Sequence, residues 1–162
     1  MTFLIYCLFI AAIVAADQIT KYLVVQNIPL YADVPAIEGL FHLTYVQNRG
    51  AAFSSMEGMR WLFVAVFVVL TVLLLLEYFK KPMPFRPFER WCIAAVYGGG
   101  LGNVIDRIFL GYVVDMIEVD FMRFAVFNVA DIFITCGCVG MIVSLLFNKE
   151  FWKDEKNATD RR

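Results

Sequence analysis

Histidine is all but missing from this chain: His42 is its single example. Charge is scarce as well, since Asp, Glu, Lys and Arg make up 18% of the 162 residues. One histidine excludes a zinc site of the H-E-x-x-H kind and most other His-built metal centres. A net charge of −1 lacks the basic footprint that neutralising phosphates requires, so no nucleic-acid partner is expected. The cysteines Cys7, Cys92, Cys136 and Cys138 all fall in apolar windows, and Cys136 and Cys138, two apart, point to different faces of a helix. Neither a disulfide framework nor a metal site follows from them, and no cofactor is expected. A basic segment ahead of Phe3 is also wanting. The first apolar run is therefore read as a retained span rather than a cleaved signal, despite the small residues between Ala11 and Ala16.

What the chain has in excess is hydrocarbon. Its hydrophobic share is 61%, against about 45–50% in an ordinary soluble domain, and its mean hydropathy is +0.71. The four best apolar windows run from about Met1 to Val25, Trp61 to Phe79, Trp91 to Leu110 and Phe127 to Phe147. Each is near the ~20 residues that a helix needs to cross ~30 Å of hydrocarbon. The expected fold is an all-α membrane protein, a four-transmembrane-helix bundle forming one domain over 1–162, with an extracytoplasmic stretch at 26–60 and a tail at 148–162. Lys80, Lys81, Arg86 and Arg90 crowd the link between spans two and three, and Lys149, Lys153, Lys156, Arg161 and Arg162 follow span four. The other two links carry only Arg49, Arg60 and Arg123. The positive-inside rule then puts both termini in the cytoplasm.

Along the chain, Asp17 and Lys21 stand four apart with the acid first, the better order for a helical ion pair. The stretch Gly39 to Val46 is rich in aromatic and β-branched residues and reads as a strand ending at the turn signal Asn48-Arg49-Gly50. Span two is apolar on nearly every face and reads as scaffold; Pro82, Pro84 and Pro87 then prevent its continuation. In span three, Gly98-x-x-x-Gly102 suits close helix packing, while Asn103, Asp106 and Arg107 are polar groups with little structural reason to sit in lipid. Asp106 and Arg107 are adjacent and do not face one another, so each needs another partner.

Span direction converts sequence position into depth. Asp115 follows span three as it leaves the membrane, Asp131 lies about one turn into span four as it returns, and ~15 residues of helix lift Asp17 and Lys21 by ~22 Å to a similar level. Asp17, Lys21, Asp106, Arg107, Asp115 and Asp131 therefore collect at the outer face, and a polar pocket is expected there. Two carboxylates brought close in a low dielectric share one proton. The ionised member then takes a proton from water while the neutral member hydrogen-bonds a scissile carbonyl. A proton relay in a small carrier would use the same pair, and a non-enzymatic membrane assembly subunit is a further alternative. A serine peptidase would need Ser54 or Ser55 activated by a base such as Lys21, which nothing local orients, and His42 reads as an ordinary strand residue.

Five blocks in order sharpen this. Asp17-Gln18-x-Thr20-Lys21, Val46-x-Asn48-x-Gly50-Ala51-Ala52-Phe53, Gly98-Gly99-x-x-Gly102-Asn103-x-x-Asp106-Arg107, Val113-Val114-Asp115 and Phe127-Asn128-x-Ala130-Asp131 together resemble the bacterial lipoprotein signal peptidases, the signal peptidase II family. The resemblance implies a multi-pass aspartyl endopeptidase of the bacterial cytoplasmic membrane, working as a monomer among membrane lipid with its active site at the extracytoplasmic face. It would cleave the signal peptide of a prolipoprotein just before a diacylglyceryl-modified cysteine. It implies Asp115 and Asp131 as catalytic residues, Asn48, Asn103, Arg107 and Asn128 as substrate-binding or dyad-orienting residues, and Asp17, Lys21, Gly50 and Asp106 as supporting ones. It also implies a small extracytoplasmic β-rich cradle matching the Leu40 to Val46 signal, a flap able to exclude water. Gly100, Met116 and Phe124-Ala125 depart from the family pattern without removing a chemical group. The presenilin type of intramembrane protease fits less well, because Gly100-Leu101-Gly102 is followed by Asn103 instead of aspartate.

Overall fold

Seven elements are built by the chain in a computed structural model that describes residues 2–50, 58–80 and 85–147. They are α1 (Thr2–Asn27), β1 (Asp33–Ile37), β2 (Phe41–Asn48), α2 (Arg60–Lys80), α3 (Pro87–Phe109), β3 (Val113–Val119) and α4 (Val129–Leu146). Ser54, Ser55, Pro82, Pro84 and the tail from 148 lie outside the described residues. The helices follow the expected apolar windows to within a few residues. Of them, Phe3–Asn27 and Val129–Leu146 are long and apolar enough to cross a membrane, and Arg60–Leu76 is a shorter apolar helix.

Local chemistry sets the helix ends. Pro87 opens α3, where its missing N–H is not needed, and Glu89 accepts the Arg86 backbone N–H at 2.9 Å in a capping box. The other oxygen of Glu89 accepts the Ser144 hydroxyl at 2.8 Å and ties α3 to the far end of α4. At the opposite end of α3, the N–H groups of Leu110 and Gly111 both point to the Asp106 carbonyl. Gly111 then takes φ +84°, which turns the chain directly into β3.

Helix α3 is the centre of the bundle and packs on α1, α2 and α4. Its glycines make this possible. A Cβ on Gly98 would meet Ile13 of α1, one on Gly102 would meet the Asp17 carboxylate, and one on Gly99 would meet the Ala130 carbonyl of α4. The close approach expected from Gly98-x-x-x-Gly102 is therefore present against α1, and Gly99 adds a second one against α4. Large apolar side chains such as Leu8, Leu73, Ile142 and Leu146 lie on the outside, whereas small residues such as Ala94 and Ala95 fill the interior. That is how helices pack when lipid is the solvent.

The strands form one antiparallel sheet in the order β1-β2-β3. Strand β2 takes in the expected Leu40 to Val46 run from Phe41 on, with Leu40 left in the preceding turn. The sheet is not confined to 26–60, however, because β3 comes from the segment between α3 and α4. Phe41 pairs with Val119, Val46 with Asp115 and Asn48 with Val113, with an irregularity between Leu43 and Val46. Val24, Tyr45, Val114 and Met116 make a small apolar core between the end of α1 and the sheet. This core seats β3 on the bundle, and with it Asp115.

Candidate active site

Two different local devices present the two aspartates. Asp115 projects from β3 opposite Val46, and Asn48, two residues further along β2, donates its amide to Asp115 Oδ2 at 2.9 Å. The Asn48 amide is itself oriented, since its oxygen accepts the Gly50 N–H at 2.9 Å. Asp131 sits in the first turn of α4, whose N-cap is Asn128. The Asn128 side-chain oxygen accepts the Asp131 N–H at 3.0 Å, and Asp131 Oδ2 accepts the Asn128 N–H at 3.2 Å.

Asn128, with 0% exposure, also joins the pair. Its Nδ2 donates to Asp115 Oδ1 at 2.6 Å and to Asn103 Oδ1 at 3.1 Å, while Asn103 Nδ2 donates to Asp131 Oδ1 at 2.8 Å. Every oxygen of both carboxylates thus receives a neutral N–H. The pair is held in place by amides, and among the described residues no cation bonds directly to either member.

The cations lie one layer away. Lys21 contacts Asp17 Oδ2 at 2.8 Å, Asp106 Oδ2 at 2.9 Å and Asn103 Oδ1 at 2.9 Å, so its three protons have three acceptors. This cluster is almost dry, with Asp17 at 0%, Lys21 at 3% and Asp106 at 2% exposure. Asp17 Oδ1 accepts the Ala130 N–H at 3.0 Å, and Asp106 Oδ2 accepts the Val114 N–H at 3.0 Å. Gln18 completes the layer by donating a hydrogen bond from its side-chain amide to Asp106 Oδ1 at 2.9 Å. Among the described residues no buried side-chain nitrogen or oxygen lacks a partner. The Asp17–Lys21 pair expected from spacing is present, and the separate partners expected for Asp106 and Arg107 are found.

Arg107 reaches the Gly50 carbonyl at 3.0 Å and the Asn103 carbonyl at 3.3 Å, with its guanidinium 4.6 Å from the ring centre of Phe63. It lines a cavity of roughly 460 Å³ together with Asn48, Asn103, Asp115 and Asp131. The opposite wall is apolar and comes from Val113, Phe124 to Phe127, Ile132 and Ile134, with Thr135 and Cys136 at its edge. All ten residues singled out in the sequence meet here, seven in or against the cavity and Asp17, Lys21 and Asp106 behind it. Several participants had no role assigned from sequence: Gln18, the apolar wall, the backbone N–H groups of Val114 and Ala130, and Phe63, which lies in the helix read only as scaffold. Asn128-x-x-Asp131 does carry a recognisable cap spacing that would have located the α4 start. His42 stays away from the cavity, with its ring nitrogens 2.7 Å from Asp33 and 3.1 Å from Asp120. Among the described residues no group of three His, Cys, Asp or Glu side chains converges as a metal site requires.

The electrostatics differ between wall and floor. Burial pushes the Asp115 carboxyl up from an ordinary 3.8 to about 6; the Asn48 and Asn128 amides and the Lys21 charge oppose the rise, and the Asp131 charge adds to it. A proton is therefore readily kept on this carboxyl.

The family model described as signal peptidase (SPase) II matches residues 9–147. A lipoprotein signal peptidase of Streptococcus thermophilus is 42% identical over 149 residues, covering 92% of this chain and 93% of the relative. One from Streptococcus pyogenes serotype M2 is 38% identical over 151 residues, covering 93% and 95%. A solved bacterial membrane enzyme superposes with a TM-score of 0.81 at 30% identity, covering 89% of this chain and 90% of that one. A match over most of its length, in sequence and in fold, makes this chain a member of the signal peptidase II family.

Proposed function

We propose that Asp115 and Asp131 are the catalytic pair with which this membrane aspartic endopeptidase removes the signal peptide of a prolipoprotein, just before its diacylglyceryl-modified cysteine. The observation that carries the reading is a single cavity with two carboxylates on its polar floor, joined through Asn128 and Asn103, facing an apolar wall. A lipidated peptide matches both surfaces: its backbone meets amides and Arg107, and its acyl chains meet Phe124, Ile132 and their neighbours.

Asp115, the more buried member, holds the shared proton and gives it to the scissile carbonyl oxygen. Asp131, ionised and facing the cavity, takes a proton from water, whose oxygen then attacks the carbonyl carbon. Collapse of the resulting gem-diol breaks the C–N bond: the proton on Asp131 passes to the leaving amine, and a hydroxyl proton of the intermediate returns to Asp115 as the carbonyl re-forms. Asn48, Asn103 and Asn128 orient the two carboxylates and offer amide contacts to substrate, while Arg107 binds substrate carbonyls. Gly50 supplies the carbonyl that steadies Arg107; Asp17, Lys21 and Asp106 support the floor.

In this reading all four helices span the membrane as one domain, and the enzyme works as a monomer in lipid without nucleic acid. The sheet lies at the end of the bundle where α1 and α3 finish and α2 and α4 begin. The basic link at 80–90 and the basic tail mark the opposite end as cytoplasmic. The active site then opens at the extracytoplasmic face, where a signal helix left in lipid brings its cleavage point.

The test is cleavage by purified protein of a diacylglyceryl-modified precursor beside its unmodified form. Modified precursor is expected to be cut and unmodified precursor spared. Asp115→Asn and Asp131→Asn are each expected to lower turnover by roughly 10³-fold while the protein still inserts. Near wild-type turnover in both variants would end the assignment, and solute transport without cleavage would favour a carrier.

A further inference from the structure

The buried charge cluster behind the cavity is built with a symmetry that ion pairing alone does not require. Asp17 holds the backbone N–H of Ala130, the residue before Asp131, at 3.0 Å. Asp106 holds the backbone N–H of Val114, the residue before Asp115, at 3.0 Å. Each acid of the pair is therefore preceded by a peptide group pinned by a second carboxylate. Both pinning carboxylates bind the same ammonium, at 2.8 and 2.9 Å. The third proton of that ammonium goes to Asn103 Oδ1 at 2.9 Å, and this fixes which end of the Asn103 amide faces Asp131.

We infer that Lys21 is a positioning residue for the reaction, which from behind the cavity helps to set the separation and relative orientation of Asp115 and Asp131, while Asn128 bridges the two directly. The inference rests on the proposed role of those two aspartates. Asp115 stands on a strand and Asp131 on a helix, and among the described residues the backbone bonds that link β3 to the start of α4 are those of Met116 and Ile117 with Phe127, just ahead of the helix. Their spacing must come from something that touches both. Lys21 does so through two struts of equal kind, one to each element, and through an amide to one of the acids themselves. A proton shared between two carboxylates and a water held against them tolerate little displacement, and an error of about 1 Å in such a site lowers rate by roughly 10²-fold.

The experiment compares wild type, Lys21→Met, Asp17→Asn, Asp106→Asn and the Asp17→Asn/Asp106→Asn double variant on the lipidated precursor. Competent sites are counted with a tight-binding peptide that carries a secondary alcohol in place of the scissile amide. Lys21→Met is expected to lower kcat per competent site by about 10²-fold with KM changed by less than about threefold, because Arg107 and the apolar wall are untouched. Each single aspartate variant is expected to lower kcat by about tenfold, and the double to fall short of the product of the two, since both act through one ammonium. Variants that lose folded protein but keep wild-type kcat per site, or aspartate defects that simply multiply, would overturn the inference. Should Lys21→Met fail to fold, the aspartate series decides alone. A wild type unable to cut the precursor would instead strike at the proposed function.

Discussion

Asp115 is 2% exposed and yet carries a group that water would rather keep. Its folded-state pKa of about 6 lies above the ordinary 3.8, so folding favours the protonated form. The resulting contribution to stability is fully present below pH 4 and is lost as pH rises through 6. By linkage the change is on the order of 2–3 kcal/mol. Wild type is therefore expected to lose that much stability relative to Asp115→Asn between pH 4 and pH 7. Unfolding of both proteins in the same detergent at the two pH values measures it, and parallel behaviour would contradict the burial argument. Arg107 gives a second expectation at this scale. Arg107→Lys keeps the charge but not the fork that spans the Gly50 and Asn103 carbonyls or the flat face on Phe63. KM for the lipidated precursor should rise about tenfold, as the loss of one charged hydrogen bond implies, with kcat less affected. Not all of this residue-scale detail is visible in the chain. The Asp17–Lys21 pair is legible because four residues make one turn, but the contacts from Lys21 to Asp106 and Asn103 depend on how α3 is rotated against α1, which no local pattern encodes.

At the scale of elements, β2 can be read from Phe41 to Val46 because its residues favour an extended chain and a turn follows. Strand β3 is harder to see. It starts four residues after α3 ends, places an aspartate at its centre, and is buried along Val113 to Met116 without the alternation that betrays a half-exposed strand. Strand β1 is exposed throughout and includes Pro35, so hydrophobic periodicity gives no sign of it. The glycine block in α3 is legible as a packing surface, but which glycine faces which neighbour is not. The structure separates them: Gly99 abuts the backbone of α4 at Ala130, beside Asp131, whereas Gly100 abuts only the ring of Phe67. Gly99→Ala should therefore force α4 away and cost about 1–3 kcal/mol, with a fall in kcat because Asp131 moves too. Gly100→Ala should be near neutral, since a side chain yields where a backbone does not and alanine favours the helix by up to ~1 kcal/mol. Thermal unfolding and turnover of the two variants side by side measure the contrast, and equal damage from both would refute this account of the α3–α4 contact.

For the whole molecule, the decisive property is that polarity is arranged by depth. Polar side chains from α1, α3, α4 and the sheet meet at one end of the bundle, while the large residues facing outward from the helices are mostly Leu, Val, Ile and Phe, with Tyr22, Trp61 and Trp91 among them. An active site of this kind works only where a signal helix can approach through lipid and water can reach the carboxylates from one side, which is the membrane boundary. The orientation proposed above rests on the basic residues: Lys80, Lys81, Arg86 and Arg90 in one link outnumber Arg49, Arg60 and Arg123 in the other two. In a background with Cys7, Cys92, Cys136 and Cys138 replaced by serine or alanine, a single cysteine at Glu38, in the turn between β1 and β2, should react in intact cells with a membrane-impermeant maleimide. A single cysteine at Lys153 should react only after the membrane is opened. Labelling of both from outside, or of Lys153→Cys alone, would reverse the topology and leave the carboxylates facing the cytoplasm, away from any exported precursor.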